Sequence, residues 1–162
     1  MSHIETYLND HLAGSTVAVE LLEHLESSHD GEWRNFFRML RADIESDRGK
    51  LETLMKEMDI DQSKLRKGMA WFGEKFTELK MRLDDPADVD LRLFESLEAL
   101  SLGIEGKRSL WLALAEATTA NPNLRRLDYQ HLIARADEQR GRVERRRLEI
   151  VKHALAEPKR QN

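Results

Sequence analysis

A chain of 162 residues with 40% apolar and 35% charged residues, three prolines, eight glycines and no cysteine suits one helical domain, which at this length buries roughly two-thirds of its unfolded surface. The absence of cysteine excludes disulfides, thiolate zinc or iron–sulfur ligation and a cysteine nucleophile, and it fits a reducing compartment. The net charge of −4 is uneven: residues 1–61 carry fourteen acids against six Lys and Arg, and residues 124–162 carry eleven Lys and Arg against six acids, so the two ends attract each other within the fold or between copies.

The start, MSHIETYLNDH, has no basic stretch followed by an apolar core, and no apolar run approaches the ~18 residues of a membrane span. A cytoplasmic location is expected. Ser2 and Glu5 form a capping box that opens a first helix running to about Ser27. Its apolar stripe is Ile4, Tyr7, Leu8, His11, Ala18, Leu22 and Leu25, with Gly14 and Ser15 at mid-length and Glu20 and Glu23 on the far side. SSHDGE is a turn with Asp30 as N-cap. A second helix follows over about 31–58, with an aromatic start at Trp33, Phe36 and Phe37. The short turn makes the pair an antiparallel hairpin. Its stripe, Phe36, Leu40, Ile44, Leu51, Leu54 and Met58, is interrupted by Asp47.

Residues 59–88 are too long for a turn and are patterned as a crossover helix through Leu65, Met69, Phe72, Phe76, Leu79 and Leu83. Asp85-Pro86 then starts a third helix, about 86–119, and Asn121-Pro122 a fourth, about 122–156. The third has its main stripe at Leu93, Leu97, Leu100, Ile104, Trp111 and Ala115. A second face of Gly103, Gly106, Leu110, Ala113, Leu114 and Ala117 calls for a second partner. In the fourth helix, Asp137, Arg140 and Glu144 fall in the same sector as Ile133, Val151 and Leu155, roughly 40–60° wide at about 100° per residue. Residues 1–156 read as one bundle and 157–162 as a frayed tail.

Two hairpins joined by a long connection describe an all-α, up-down, crossover, up-down four-helix bundle. The phrases FFRMLRADIESDRGKLETLM and LFESLEALSLGIEGKRSLWLALAEA resemble the ferritin-like superfamily, most closely its small bacterial stress-associated branch. The resemblance implies a ferritin-like fold and, in its active members, a di-iron centre built from a carboxylate on each of two helices and Glu-x-x-His on each of the other two. This sequence departs from that pattern at every His. The inward pairs are Asp47-x-x-Lys50 and Asp137-x-x-Arg140, the first helix offers Gly14, Ser15 and Ala18, and on the third Arg108 lies nearer the stripe than Glu105.

Lysine and arginine offer no lone pair to a cation at neutral pH. An internal ion-pair network of Asp47, Arg108, Asp137, Arg140 and Glu144 is therefore expected where the resemblance puts iron, with no metal cofactor. On that basis Arg140→Ala is expected to destabilise far more than Arg146→Ala. If a metal is held, Asp43, Asp47, Glu105, Asp137 and Glu144 are the candidate ligands for iron or manganese.

His11 reads as a hydrogen-bonded core histidine, His24 and His131 as surface residues, and His29 and His153 as helix-end residues. No nucleophile elbow, Walker loop or Rossmann fingerprint is present. The arginines of RGRVERRR, residues 140–147, spread around the helix rather than forming a stripe that follows phosphates, and no stacking platform accompanies them. Three readings follow. The first is a non-catalytic structural or interaction protein, stress-related by resemblance, that works as a homodimer through the two-faced third helix and Trp71. The second is a residual di-metal oxidase or iron-handling protein. The third, nucleic-acid binding through residues 140–147, is disfavoured.

Overall fold

The computed structural model describes residues 2–62, 70, 74, 77, 78 and 88–156. Among them the chain is all-helical, with four α-helices and no strand: α1 His3–Ser28, α2 Gly31–Glu57, α3 Val89–Ala117 and α4 Tyr129–Ala154. No described helix is long and apolar enough to cross a membrane. The crossover stripe from Leu65 to Leu83, Trp71, the Asp85-Pro86 cap and the 157–162 tail lie outside the described residues.

α1 begins as its capping box dictates. The Glu5 amide donates to Ser2 Oγ at 3.3 Å, and the Ser2 amide donates to Glu5 Oε2 at 3.0 Å. This satisfies two of the amides that a helix start otherwise leaves orphaned. Ser2→Ala is expected to cost about 1 kcal/mol in a chemical denaturation series. No measurable loss would show that other contacts hold the first turn.

At the far end of α1, His29 Nδ1 donates to the Leu25 carbonyl at 2.8 Å, and its ring lies 5.4 Å from that of Phe37. The turn is thereby fastened to the start of α2. Asp30 occupies the N-cap position of α2 but makes no capping hydrogen bond; its carboxylate pairs with Arg34 at 2.9 Å. α2 ends in a Schellman arrangement: Ile60 N–H donates to the Met55 carbonyl at 2.9 Å and Asp59 N–H to Lys56 at 3.2 Å. Asp59 takes the left-handed φ of 53° that this ending requires. Ile60 is thereby turned back into the core beside Leu54 and Met55.

The start of the fourth helix differs from the sequence expectation. Asn121 does cap a turn, accepting from the Asn123 amide at 3.2 Å, but that turn is a short 3₁₀ segment, Pro122–Leu124. α4 starts seven residues later, where Asp128 accepts from the His131 amide at 3.0 Å. The break is held by Tyr129, whose buried hydroxyl donates to the Leu124 carbonyl at 2.7 Å. Leu124 is thus pulled into the core, and a continuous helix from 122 would have carried it elsewhere.

α1 packs against α2 and α3 against α4, and the two hairpins meet around two apolar clusters. One, at the end where α1 starts and α2 finishes, gathers Leu8, Leu12, Leu54, Met55, Trp111 and Leu132. The other, at the opposite end, gathers Leu22, Phe37, Leu40, Leu97, Leu100 and Val143. A fully buried side chain of this kind contributes about 1.5–3 kcal/mol relative to exposure, so these clusters supply most of the cohesion. Between them the core is interrupted.

Candidate functional site

The interruption has a sequence logic. Each helix presents a seam of residues spaced alternately three and four apart, which keeps one face turned to the interior. In α1 the seam is Leu8, Leu12, Ser15, Val19 and Leu22; in α2 it is Phe37, Leu40, Ile44, Asp47, Leu51 and Leu54. In α3 it is Leu97, Leu100, Ile104, Lys107, Trp111 and Leu114, and in α4 it is Tyr129, Leu132, Ala136, Gln139 and Val143. Each seam has one polar member at mid-length; in α1, α2 and α3 it is flanked on one side by residues of the first cluster and on the other by residues of the second, and in α4 Gln139 lies between Ala136 and Val143, both of the second. Ser15, Asp47, Lys107 and Gln139 thus mark one layer across the middle of the bundle.

Asp47, only 2% exposed, is the sole buried carboxylate among the described residues. Its Oδ2 accepts from Lys107 Nζ at 2.6 Å and from Gln139 Nε2 at 2.8 Å, and its Oδ1 accepts from Arg135 Nε at 2.8 Å. Lys107 also donates to Gln139 Oε1, closing a three-membered ring of hydrogen bonds. Arg135 reaches on to Asp43, 3.8 Å from its Oδ1, and Asp43 is in turn held by Arg142. α2 and the basic α4 are joined through this chain of contacts.

Burial by itself would push the Asp47 carboxyl up. The Lys107 ammonium, with the hydrogen bonds from Lys107, Gln139 and Arg135, outweighs it and holds the group below its ordinary value. Lys107 lies below its own ordinary value, because burial outweighs the attraction of Asp47. Its ammonium has three N–H donors, and two are used by Asp47 and Gln139.

The network expected from the sequence is divided. Asp47 stands at its centre, but Arg108, Asp137, Arg140 and Glu144 do not join it. Arg108 Nε does meet Asp137 Oδ1 at 2.6 Å, at the surface, with Asp137 56% exposed. Arg140 is 45% exposed and lies 3.7 Å from Glu105. Glu144 pairs with Arg147 at 2.9 Å; the Arg147 and Ser101 hydrogen bonds keep its carboxyl below the usual range.

The cause is a rotation of α4. Its buried face runs through Leu132, Ile133, Ala136, Gln139 and Val143, roughly a quarter turn from the sector of Asp137, Arg140 and Glu144. Leu155, assigned to the same stripe, is exposed. On α3, Leu110 and Leu114 of the expected second face belong to the core, whereas Gly103 and Ala113 are exposed. Lys50 is exposed, so Asp47-x-x-Lys50 is not an inward pair. Three residues of the actual cluster, Lys107, Arg135 and Gln139, were missed, although the seam spacing places Lys107 midway between Ile104 and Trp111.

Beside the cluster lies a cavity of about 470 Å³ between α1, α2 and α3. Its walls are mainly apolar, with Val17, Ile44, Leu100 and Ile104 among them, and the small residues Gly14, Ser15, Ala18, Gly103 and Gly106 leave the space. Asp47 and Lys107 line one side. His11 lines it too, 4.7 Å from Tyr7 in an edge-on contact, and burial pushes its imidazole toward the neutral form against the opposing charge of Asp10.

The donor set does not suit a di-metal centre. Asp43 and Asp47 share Arg135, Glu105 and Asp137 share Arg108, and Glu144 belongs to Arg147. A cation therefore occupies the place between each pair of carboxylates where a metal would have to sit. Among the described residues no three His, Cys, Asp or Glu side chains form a group that could hold a metal ion.

The arginines of residues 140–147 are largely engaged. Arg142 reaches Glu138 at 2.8 Å as well as Asp43, and Arg147 reaches Glu98 at 3.2 Å. Arg146 lies over the Trp33 ring at 5.2 Å. Comparison with protein-family models, with curated proteins and with solved structures finds no match.

Proposed function

We propose that the protein is a non-catalytic interaction protein: a ferritin-like bundle with a crossover between α2 and α3, in which an internal ion-pair cluster stands in place of a di-iron centre. The observation that carries this reading is the cationic shell of Asp47. Both oxygens of the one buried carboxylate among the described residues accept from Lys107, Arg135 and Gln139, so three of its about four lone-pair directions are used and two cations already supply the charge a metal would bring. The engagement of Arg142, Arg146 and Arg147 by acids and by Trp33 likewise argues against a phosphate-tracking surface. A stress-associated role rests on the sequence resemblance alone.

The proposed partner is a second copy. α3 exposes Leu102, at 68%, with the exposed Ala113 on the same face and Leu112 to one side of it, apolar surface that a second copy would cover. Purified full-length protein grown with added iron and manganese is expected to carry no stoichiometric metal, and light scattering is expected to give twice the chain mass. About two tightly held ions per chain, lost on Asp47→Ala, would revive the di-metal alternative. A monomer at micromolar concentration would reject the dimer.

A further inference from the structure

The mainly apolar cavity carries hydrogen-bond donors that the ion-pair cluster does not explain. Trp111 is 1% exposed and forms part of its wall, yet its indole N–H has no acceptor among the described residues. Arg48 also lines the cavity, and while its terminal nitrogen pairs with Glu52 at 3.2 Å, its Nε–H is buried without an acceptor. Lys107, on the same wall, has one N–H beyond the two it gives to Asp47 and Gln139. All three are donors. Among the described lining residues no buried side-chain acceptor is left over.

Leaving a buried donor unmade costs about 1–3 kcal/mol, and proteins seldom retain several around one space unless something brings the matching acceptors. The space itself is maintained at a cost. Gly103 and Gly106 lie mid-helix on its border, and a Cβ at either would meet nothing within 4 Å, although glycine there weakens the helix. A volume of about 470 Å³ falls in the range of roughly 300–1,000 Å³ that small-molecule sites occupy, as does an apolar lining with a few convergent polar groups. The charges lining the cavity balance, Arg48 and Lys107 against Asp10 and Asp47, so the preference for an anion rests on the unpaired donors.

We propose that this cavity is a binding site for one apolar-chain monocarboxylate, its hydrocarbon chain lying along the small-residue and aliphatic walls of α1 and α3 and its carboxylate accepting from Trp111, Arg48 and Lys107. The inference goes beyond the interaction role above.

Full-length protein titrated calorimetrically with dodecanoate is expected to give a single saturable site, one molecule per chain, with dodecyltrimethylammonium at least tenfold weaker. Gly106→Leu, at a lining position where a Cβ meets nothing within 4 Å, is expected to reduce dodecanoate affinity at least tenfold with no loss of helicity or unfolding midpoint. Trp111→Phe keeps the ring and removes the donor, and should weaken binding about tenfold, the scale of a hydrogen bond to a charged group; it serves as the second variant if Gly106→Leu does not fold. No saturable uptake by the wild-type chain up to about 1 mM, an affinity of only about 4 kcal/mol, would overturn the proposal. Equal binding of the cationic amphiphile, or binding unchanged in both variants, would overturn it as well.

Discussion

Asp47→Ala is expected to cost about 3–5 kcal/mol of folding free energy, the scale of breaking a buried ion pair so that its partner charge is stranded. The loss comes less from the missing contacts than from what remains. Lys107 and Arg135 would be left facing each other across the space of a carboxylate, with Lys107 already below its ordinary pKa through burial. Arg140→Ala and Arg146→Ala provide the comparison, because Arg140 is half-exposed and 3.7 Å from its partner, a geometry that contributes under about 1 kcal/mol. Urea denaturation of the three variants side by side tests the point, and a loss for Asp47→Ala no larger than for Arg140→Ala would place Asp47 in contact with water.

The same group sets a pH response. Its folded-state pKa is depressed, so the stability it contributes is fully present above the unfolded value of about 3.9 and fades as pH falls toward the lower folded value. Wild-type stability should decline through that acid window, and the decline should be shallower in Asp47→Ala. A parallel decline in both would assign the acid response to other carboxylates, such as Glu144, which Arg147 and Ser101 also hold low.

Gly103→Ala and Gly106→Ala together are expected to raise stability by about 2 kcal/mol, from the helix preference of alanine over glycine at about 0.8–1.0 kcal/mol per site. Neither position needs a glycine for its backbone, since neither adopts a positive φ and both have room for a methyl group. Thermal unfolding of the double variant decides the matter: a lower midpoint would mean that the small residues are needed for close helix approach.

The fold was legible wherever large apolar residues marked a seam. In α2 the run from Phe37 to Leu54 leaves one rotation possible, and Asp47 was placed inside by its neighbours. In α4 the seam is written in Tyr129, Ala136, Gln139 and Val143, and two of these are too small or too polar to outweigh the charges around them. The face through Asp137 and Arg140 therefore looked equally apolar at its ends, through Val151 and Leu155, one half-buried and the other exposed. Arg135 was missed for a related reason: a long cationic side chain reaches inward from a position that a wheel assigns to a boundary. The start of α4 was obscured by a strong cap in the wrong place, since Asn121-Pro122 does cap a turn. Only the Tyr129 hydroxyl, bonded to Leu124, explains why that turn goes no further.

The polar layer also fixes how far each helix can slide along its neighbours. Hydrophobic seams repeat every seven residues, so displacing α3 by one repeat, about 10.5 Å, would still match leucine to leucine along most of its length. That shift would instead bring Lys107 among the aliphatic residues of one cluster and leave Asp47 opposite Leu100 or Leu114, with its charge unanswered in a dry interior. One charged rung on an otherwise repetitive ladder thereby rejects the near-equivalent alignments that leucine-rich helices would otherwise sample.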